Sequence, residues 1–333
     1  MRAVVLTDPG GPSTLRVEQV PAPVAGPGEL LVEVTAAGVN RADLLQVAGQ
    51  YPPPPGAPAW PGLEVSGTVV GMGPDLAAGP DPRDGRSWRV GDRVAALLPG
   101  GGYAEWVTVP AGLALRVPDS LHPSDAAALP EALATVWSTL RAARFTPDET
   151  LLVRGGSGGV GTVAVQIGRA LGARVLATAG GPARCGRVRA LGADVVVDHS
   201  EPGVAQAVLA ATGGAGVDVV LDVLGAGGLA ENLAVLATGG RLAVIGLQRG
   251  RHGDLDLGLL LERRAAVLGT TLRSRPLVEK LAILADVRAN LWPLVADGRV
   301  RPVVHARLPL DQAARAHRML AGGEVFGKLL LEP

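Results

Sequence analysis

The stretch Gly155-Gly156-Ser157-Gly158-Gly159-Val160-Gly161 could do chemistry through the side chains it lacks. Gly156, Gly158 and Gly161 have G-x-G-x-x-G spacing: the first glycine permits a tight turn, the second lets backbone approach a pyrophosphate, and the third lets helix and strand pack closely. In a chain with 47 glycines the spacing alone is a weak signal, so its surroundings decide. Leu151 to Val153 read as a short apolar strand entering the turn, and Val160, Val163, Ala164, Ile167 and Leu171 recur at helical spacing up to Gly172. Arg174 to Thr178 then reads as a second strand, which makes half of a βαβαβ unit. The N–H groups of Ser157, Gly158, Gly159, Val160 and Gly161, with the positive end of the helix dipole, would face a dinucleotide diphosphate. A plain glycine turn between strand and helix is the competing reading of the same residues.

The end of the second strand addresses which nucleotide. An acidic residue about 20 positions beyond the glycines would bind a free ribose 2′-OH. None is present in Ala177-Thr178-Ala179-Gly180-Gly181-Pro182-Ala183-Arg184. Small residues, Gly180 among them, are followed by the Arg184 guanidinium, which suits a 2′-phosphate that a carboxylate would repel. NADPH is therefore expected over NADH, with a solvated helix-face charge as the alternative for Arg184.

Other reactive side chains are few. Cys185 is the only cysteine, which excludes an intramolecular disulfide and a multi-cysteine metal site and points to a reducing, cytoplasmic setting. The five histidines, at 122, 199, 252, 305 and 317, are scattered without ligand spacing, so no metal is expected. A formal net charge of +0 removes the electrostatic case for nucleic acid or an anionic membrane surface. A small neutral partner fits better. Of 31 lysines and arginines only Lys280 and Lys328 are lysines, which reads as codon bias and carries no mechanism. Met1 to Pro9 read as a short strand broken at proline, unlike a signal peptide, and no segment approaches the roughly 18 uninterrupted apolar residues of a membrane span.

Two kinds of element must position these groups. From residue 1 to about 122 the chain shows short β-like runs with frequent Gly and Pro: Ala3 to Leu6, Leu30 to Val34, Leu63 to Val70, Val94 to Leu98 and Tyr103 to Val109. A mostly antiparallel, barrel-like domain is expected there, with Gly71 to Trp88 as a loop. Residues 123–299 alternate strand and helix: Val195 to Val197 then Val204 to Ala211, Val217 to Val223 then Leu229 to Ala237, then Arg241 to Ile245 and Ala266 to Thr271. This alternation predicts a doubly wound α/β Rossmann domain. A long helix follows Pro276; the tail, 300–333, reads strand, helix and strand (Arg301 to Leu308, Asp311 to Leu320 capped by Asp311, Lys328 to Leu331) and is expected to rejoin the first domain.

Seven segments acquire meaning together: Ala37-Gly38-Val39-Asn40-Arg41-Ala42-Asp43, Gly49-Gln50-Tyr51-Pro52, Pro61-Gly62-Leu63-Glu64-Val65-Ser66-Gly67, Gly91-Asp92-Arg93-Val94, Gly101-Gly102-Tyr103-Ala104-Glu105, the glycine turn at 155–161, and Gly327-Lys328. With them the chain resembles, over essentially its whole length, the zinc-free zeta-crystallin-type quinone oxidoreductases of the medium-chain dehydrogenase/reductase family. The resemblance implies a GroES-like catalytic domain interrupted by the Rossmann domain, with substrate in the cleft between them. In the zinc-dependent branch a ligating His stands where this chain has Leu63, and a four-cysteine lobe holds a second zinc; neither site can be built here. Without a Lewis acid an alkoxide has no support, whereas a quinone or enone spreads incoming charge over its own conjugated system.

The resemblance also distributes roles. It implies hydride delivery from nicotinamide C4, with Asn40 and Tyr51 as hydrogen-bond donors to the acceptor oxygen; otherwise Asn40 satisfies a turn backbone and Tyr51 packs on the prolines at 52–55. Thr135 falls near the nicotinamide or is an ordinary helix threonine. His199 replaces a tyrosine found near the adenosine phosphate, and either touches the 2′-phosphate or lies at the surface. Lys328 reaches the cofactor phosphates or is a surface strand lysine, while Asp92 and Glu64 are read as structural. The apolar run Ala265 to Gly269 would be an exposed sheet edge in a monomer, so a homodimer is expected. The function that follows is NADPH-dependent quinone reduction without metal. The alternatives are an enoyl or alkenal reductase acting on a conjugated C=C, and a non-catalytic NADPH-binding sensor or structural protein.

Overall fold

The computed structural model describes residues 1–7, 10–76 and 87–333; Asp8, Pro9 and the centre of the expected Gly71–Trp88 loop lie outside the described residues. The chain opens with β1 (Arg2–Leu6), β2 (Leu15–Gln19), β3 (Glu29–Val39), α1 (Arg41–Val47), β4 (Glu64–Met72), β5 (Arg93–Leu97), β6 (Trp106–Pro110), β7 (Ala114–Arg116) and α2 (Pro130–Ala142). An alternating series follows: β8 (Thr150–Val153), α3 (Gly159–Leu171), β9 (Arg174–Ala179), α4 (Pro182–Ala190), β10 (Val195–Asp198), α5 (Val204–Ala211), β11 (Val217–Asp222), α6 (Leu229–Ala234), β12 (Leu236–Val244), α7 (Leu257–Glu262) and β13 (Ala266–Gly269). The tail holds α8 (Leu277–Asn290), α9 (Trp292–Ala296), β14 (Val304–Pro309), α10 (Ala313–Gly322) and β15 (Lys328–Glu332).

The chain divides into two compact units. Unit 1 comprises Met1–Ala134, Leu272–Gly298 and Pro302–Pro333; unit 2 comprises Thr135–Thr271 and Arg299–Arg301. Unit 1 thus extends beyond the expected 1–122 and 300–333, for local reasons. Ala127 and Ala128 pack with Ala36 and Leu330, and the Glu131 N–H donates to Glu64. Arg288 on α8 donates to the Ala114 carbonyl (2.8 Å), and Trp292 Nε1 on α9 to that of Arg116 (2.7 Å).

Unit 1 is built on a sheet of order β14-β15-β3-β4-β5-β7 with β6 also on β3, plus the β1–β2 hairpin. It is mostly antiparallel; the exception is β14 with β15, which run parallel. Along β3 the side chains of Leu30, Val32, Val34 and Ala36 are buried at alternate positions, as a half-covered strand requires. The central strand β3 carries β15 on one side (Leu330 opposite Gly38) and β4 on the other (Ala37 opposite Val65). Asn40 just after β3, Glu64 at the head of β4 and Lys328 at the head of β15 are thereby brought to one end of three adjacent strands.

Unit 2 has a parallel sheet of order β10-β9-β8-β11-β12-β13, the doubly wound arrangement expected. Leu151, Leu152, Val153, Val175, Leu176, Val219, Val220 and Leu242 are all buried, as strands covered on both faces must be. α3 ends where Gly172 adopts φ 88°, a left-handed cap that side chains disfavour.

Two local expectations need correction. Asp311 does not cap the last helix: Leu310–Gln312 form a short 3-10 turn, and α10 starts at Ala313 after Gln312. α6 stops at Ala234 rather than running to Ala237, because Leu236 already pairs with Val217 in the sheet.

Candidate active site

In unit 1 the turn from β3 into α1 is held by Asp43, whose carboxylate accepts the Asn40 backbone N–H (2.8 Å) at the helix start. The Asn40 side chain, 7% exposed, is locked at both ends. Its Oδ1 accepts from Lys328 Nζ (2.5 Å) and its Nδ2 donates to Glu64 Oε1 (2.8 Å), while the other Nδ2 proton makes only a long contact with the Gly38 carbonyl (3.5 Å). Lys328 also pairs directly with Glu64, which is fully buried and accepts the Glu131 N–H (3.0 Å) through its other oxygen. A side chain on Gly38 would overlap this carboxylate, which is why a glycine sits opposite it. Lys328, which the resemblance pointed toward the cofactor phosphates, is 4% exposed, and its ammonium is taken up by Glu64 and Asn40.

Asp43 leads to a second buried group. Its Oδ1 accepts the Gly62 N–H (2.9 Å) and its Oδ2 the Tyr103 O–H (3.1 Å), and Tyr103 Oη lies 3.2 Å from His317 Nε2. Burial pushes the Asp43 carboxyl up to about 6, although the Asn40 and Gly62 N–H groups and the Lys328 charge oppose the shift. Burial pushes the His317 imidazole down to about 4 and, with the Asp43 charge, carries the Tyr103 phenol well above its usual range. Gly62 has φ +110°, and a Cβ there would run into the Gly102 backbone, so this turn admits only glycine. Sequence reading missed Asp43, Tyr103 and His317 as a group; the two motif segments that contain Asp43 and Tyr103 were the only signal.

Tyr51 lies apart from that network, partly buried, on the loop after α1. Its backbone carbonyl accepts from Arg273 Nη1 (3.1 Å), and the guanidinium carbon lies 5.3 Å from the phenol ring centroid. Arg273 was not anticipated. Being one of many arginines, it offered no motif.

In unit 2 the glycine turn is clamped by β9. Thr178 accepts the Gly155 N–H through its hydroxyl (3.1 Å) and the Gly156 N–H through its carbonyl (2.8 Å). A Cβ on Gly161 would overlap the Gly155 carbonyl, whereas one on Gly158 would meet that oxygen only at an ordinary 3.6 Å. Among the described residues no backbone acceptor meets the N–H groups of Gly159, Val160 and Gly161, and no side chain caps α3. Donors without acceptors and a turn without side chains fit a diphosphate. Asp222 fixes the neighbouring turn after β11 by accepting from Gly225 N (2.8 Å) and Asn232 Nδ2 (2.8 Å).

At the ends of β9 and β10, Gly180 faces the His199 ring, and any Cβ on it would come 3.0 Å from Nε2. Burial, followed by the charges of Arg249 and Arg154, keeps the His199 imidazole below its ordinary value; Arg184, half-buried on α4, adds to the effect. The Asp198 carboxylate nearby already accepts from Gly181 N (2.9 Å) and Ser200. Arg154, 2% exposed, pairs with Glu231, and its Nε and Nη1 are without hydrogen-bond partners. The region is therefore cationic and suits a phosphate. Thr135 lies on α2, half-buried, its carbonyl accepting from Ser138 Oγ (3.3 Å).

The side chains do not fit a zinc ion. Leu63 is buried beside Glu64, Glu64 is neutralised by Lys328, and both Asp43 oxygens are taken. Among the described residues no three His, Cys, Asp or Glu side chains are placed to hold a metal. No helix among them is long and apolar enough to cross a membrane.

A doubly wound parallel sheet with this glycine turn, together with a β unit of this topology, defines a two-domain dinucleotide-binding fold. Residues 26–119 match the alcohol dehydrogenase GroES-like domain, and residues 159–286 the family described as zinc-binding dehydrogenase. The chain is 36% identical to the quinone oxidoreductase of Thermus thermophilus, solved also as its complex with NADPH, covering 100% of both chains at a TM-score of 0.84. It is 28% identical to the Escherichia coli quinone oxidoreductase complexed with NADPH, again over 100% of both chains, at a TM-score of 0.87. It is also 36% identical to the phthioceranic/hydroxyphthioceranic acid synthase of Mycobacterium bovis, but spans only 15% of that protein's length. The chain belongs to the medium-chain dehydrogenase/reductase superfamily and is an oxidoreductase of that type.

Proposed function

We propose that the chain reduces quinones with NADPH and without a metal. The observation that carries this reading is a diphosphate cradle with unspent N–H donors in a chain whose site carboxylates are all committed to protein partners, so that organic donors must meet the acceptor. When bound, NADPH supplies a hydride from its nicotinamide ring. The turn at 156–161 holds the diphosphate, Gly180 leaves room for the ribose, and Arg184 and His199 bind the 2′-phosphate. Thr135 borders the nicotinamide. Hydride addition to a quinone drives an electron pair onto its carbonyl oxygen; Asn40 and Tyr51 donate hydrogen bonds to that oxygen, and a proton from water completes the hydroquinone. Lys328 and Glu64 fix the Asn40 amide, leaving one Nδ2 proton for the acceptor.

The test is oxidation of NADPH and NADH over 1,4-benzoquinone, 9,10-phenanthrenequinone and an alkenal, with and without EDTA. NADPH-linked, EDTA-insensitive quinone turnover is expected; EDTA-sensitive turnover overturns the reading. The match to acid-building synthases favours a second reading, reduction of a conjugated C=C, which faster alkenal turnover would establish. Binding of NADPH with no acceptor turned over would instead mark a sensor or structural protein.

The edge strand β13 exposes Ala266 and Val267, and Leu257 and Leu261 are also exposed. A homodimer pairing these edges would remove the liability, and a monomeric mass in light scattering at micromolar concentration contradicts it. The single cysteine suits a reducing cytoplasm.

A further inference from the structure

Arg273 and Lys280 are buried in unit 1, 5% and 8% exposed, and neither takes part in an ion pair among the described residues. All their hydrogen bonds go to neutral acceptors. Arg273 donates from Nε to the Pro99 carbonyl (2.7 Å), from Nη1 to the Tyr51 carbonyl (3.1 Å) and from Nη2 to Gln46 Oε1 (2.6 Å); Lys280 Nζ donates to the Arg273 carbonyl (3.0 Å). Burying two adjacent cations without a carboxylate in contact is costly, and burial lowers the proton affinity of both. Negative charge arriving nearby would offset that cost. The guanidinium also lies over the Tyr51 ring at 5.3 Å, within cation–π range.

We propose that Arg273 is the positioning residue of the Tyr51 loop: its fork fixes the loop backbone, and its charge, held over the phenol, favours electron density building up on the acceptor oxygen to which Tyr51 donates. Arginine suits this task because one planar group reaches three acceptors at once while keeping its charge; lysine cannot. The inference rests on the donor role given to Tyr51 above.

The test is a double-mutant cycle on the full chain. Arg273→Met, Arg273→Lys and Tyr51→Phe, alone and combined, are assayed for kcat and KM on 1,4-benzoquinone with saturating NADPH, and NADPH affinity is followed by its fluorescence. Arg273→Met is expected to lower kcat about tenfold in the parent and less than twofold in Tyr51→Phe, with NADPH affinity unchanged and Arg273→Lys intermediate. Equal losses in both backgrounds, or no loss, overturn the proposal and leave the Tyr51 reading standing. If Tyr51→Phe alone leaves kcat unchanged, the donor reading falls and the proposal with it. Should Arg273→Met fail to fold, Arg273→Lys supplies the same comparison.

Discussion

The glycine turn of unit 2 and the polar cluster of unit 1 solve opposite problems. The turn works because side chains are missing: its partners are backbone groups and Thr178, and it leaves N–H donors unspent for a ligand. The cluster works because side chains are present. Asn40, Glu64 and Lys328 satisfy one another in a buried site, across as many as 288 positions of sequence. A cradle of the first kind is broken by adding atoms, one of the second kind by removing charge.

Removing charge is expected to cost most. Lys328→Met strands the buried Glu64 carboxylate, and breaking one side of a buried pair typically costs about 3–5 kcal/mol. Denaturant unfolding should show that loss, and the double variant Glu64→Gln with Lys328→Met should recover much of it, since no bare charge remains. A double variant as unstable as Lys328→Met would show that the pair is not the source.

The Asp43–Tyr103–His317 group gives the next largest effect, through pH. Asp43 has a folded pKa raised from 3.8 to about 6, so its contribution is full below pH 4 and is lost as pH rises through 6. His317 is lowered from 6.5 to about 4, so its contribution is full above pH 6.5 and is lost as pH falls through 4. Each is worth about 3 kcal/mol, and they oppose each other. Relative to the parent, Asp43→Asn should gain stability with rising pH between 4 and 6, and His317→Gln should lose it. Parallel pH profiles in all three proteins would refute the assignment.

Adding atoms comes third. Gly161→Ala forces a Cβ against the Gly155 carbonyl, and overpacking of this kind costs about 1–3 kcal/mol. NADPH affinity in fluorescence titration should fall about tenfold or more, while Gly158→Ala, whose Cβ makes only an ordinary contact within the protein, should lose far less stability than Gly161→Ala in denaturant unfolding. Equal losses at both positions would deny the turn its specific geometry.

The same contrast explains what the sequence disclosed. The turn was legible because its strand, glycines and helix are contiguous, and a missing side chain is visible in one sequence. The doubly wound sheet followed from the alternation around it. The cluster was only half visible: Asn40 and Lys328 stood in motifs, but their contact with Glu64 depends on β15, β3 and β4 being neighbours, a tertiary fact. His317 lies on an amphipathic helix and carried no sign that its ring meets Tyr103. Arg273 was hidden among many arginines, and only its neutral partners and burial set it apart. Asp311 misled because an aspartate before an apolar run reads as a cap whether or not the chain first makes a 3-10 turn.

The smallest effect sharpens the comparison, because it tests a side chain placed beside the backbone cradle. Arg184 is the third residue of α4, which starts after the left-handed Gly181, and it is half-buried. A half-exposed charge is screened by solvent, so its bond to a phosphate is worth less than a buried one, about 1–1.5 kcal/mol. Arg184→Ala should therefore lower kcat/KM for NADPH about tenfold, leave that for NADH within twofold, and weaken the salt dependence of NADPH binding. Asp198 Oδ1 is already committed to Gly181 and Ser200, and NADH should not improve. Equal losses for both nucleotides would place Arg184 in the fold of α4 rather than at the phosphate, and nucleotide choice would then rest on His199 and Arg249.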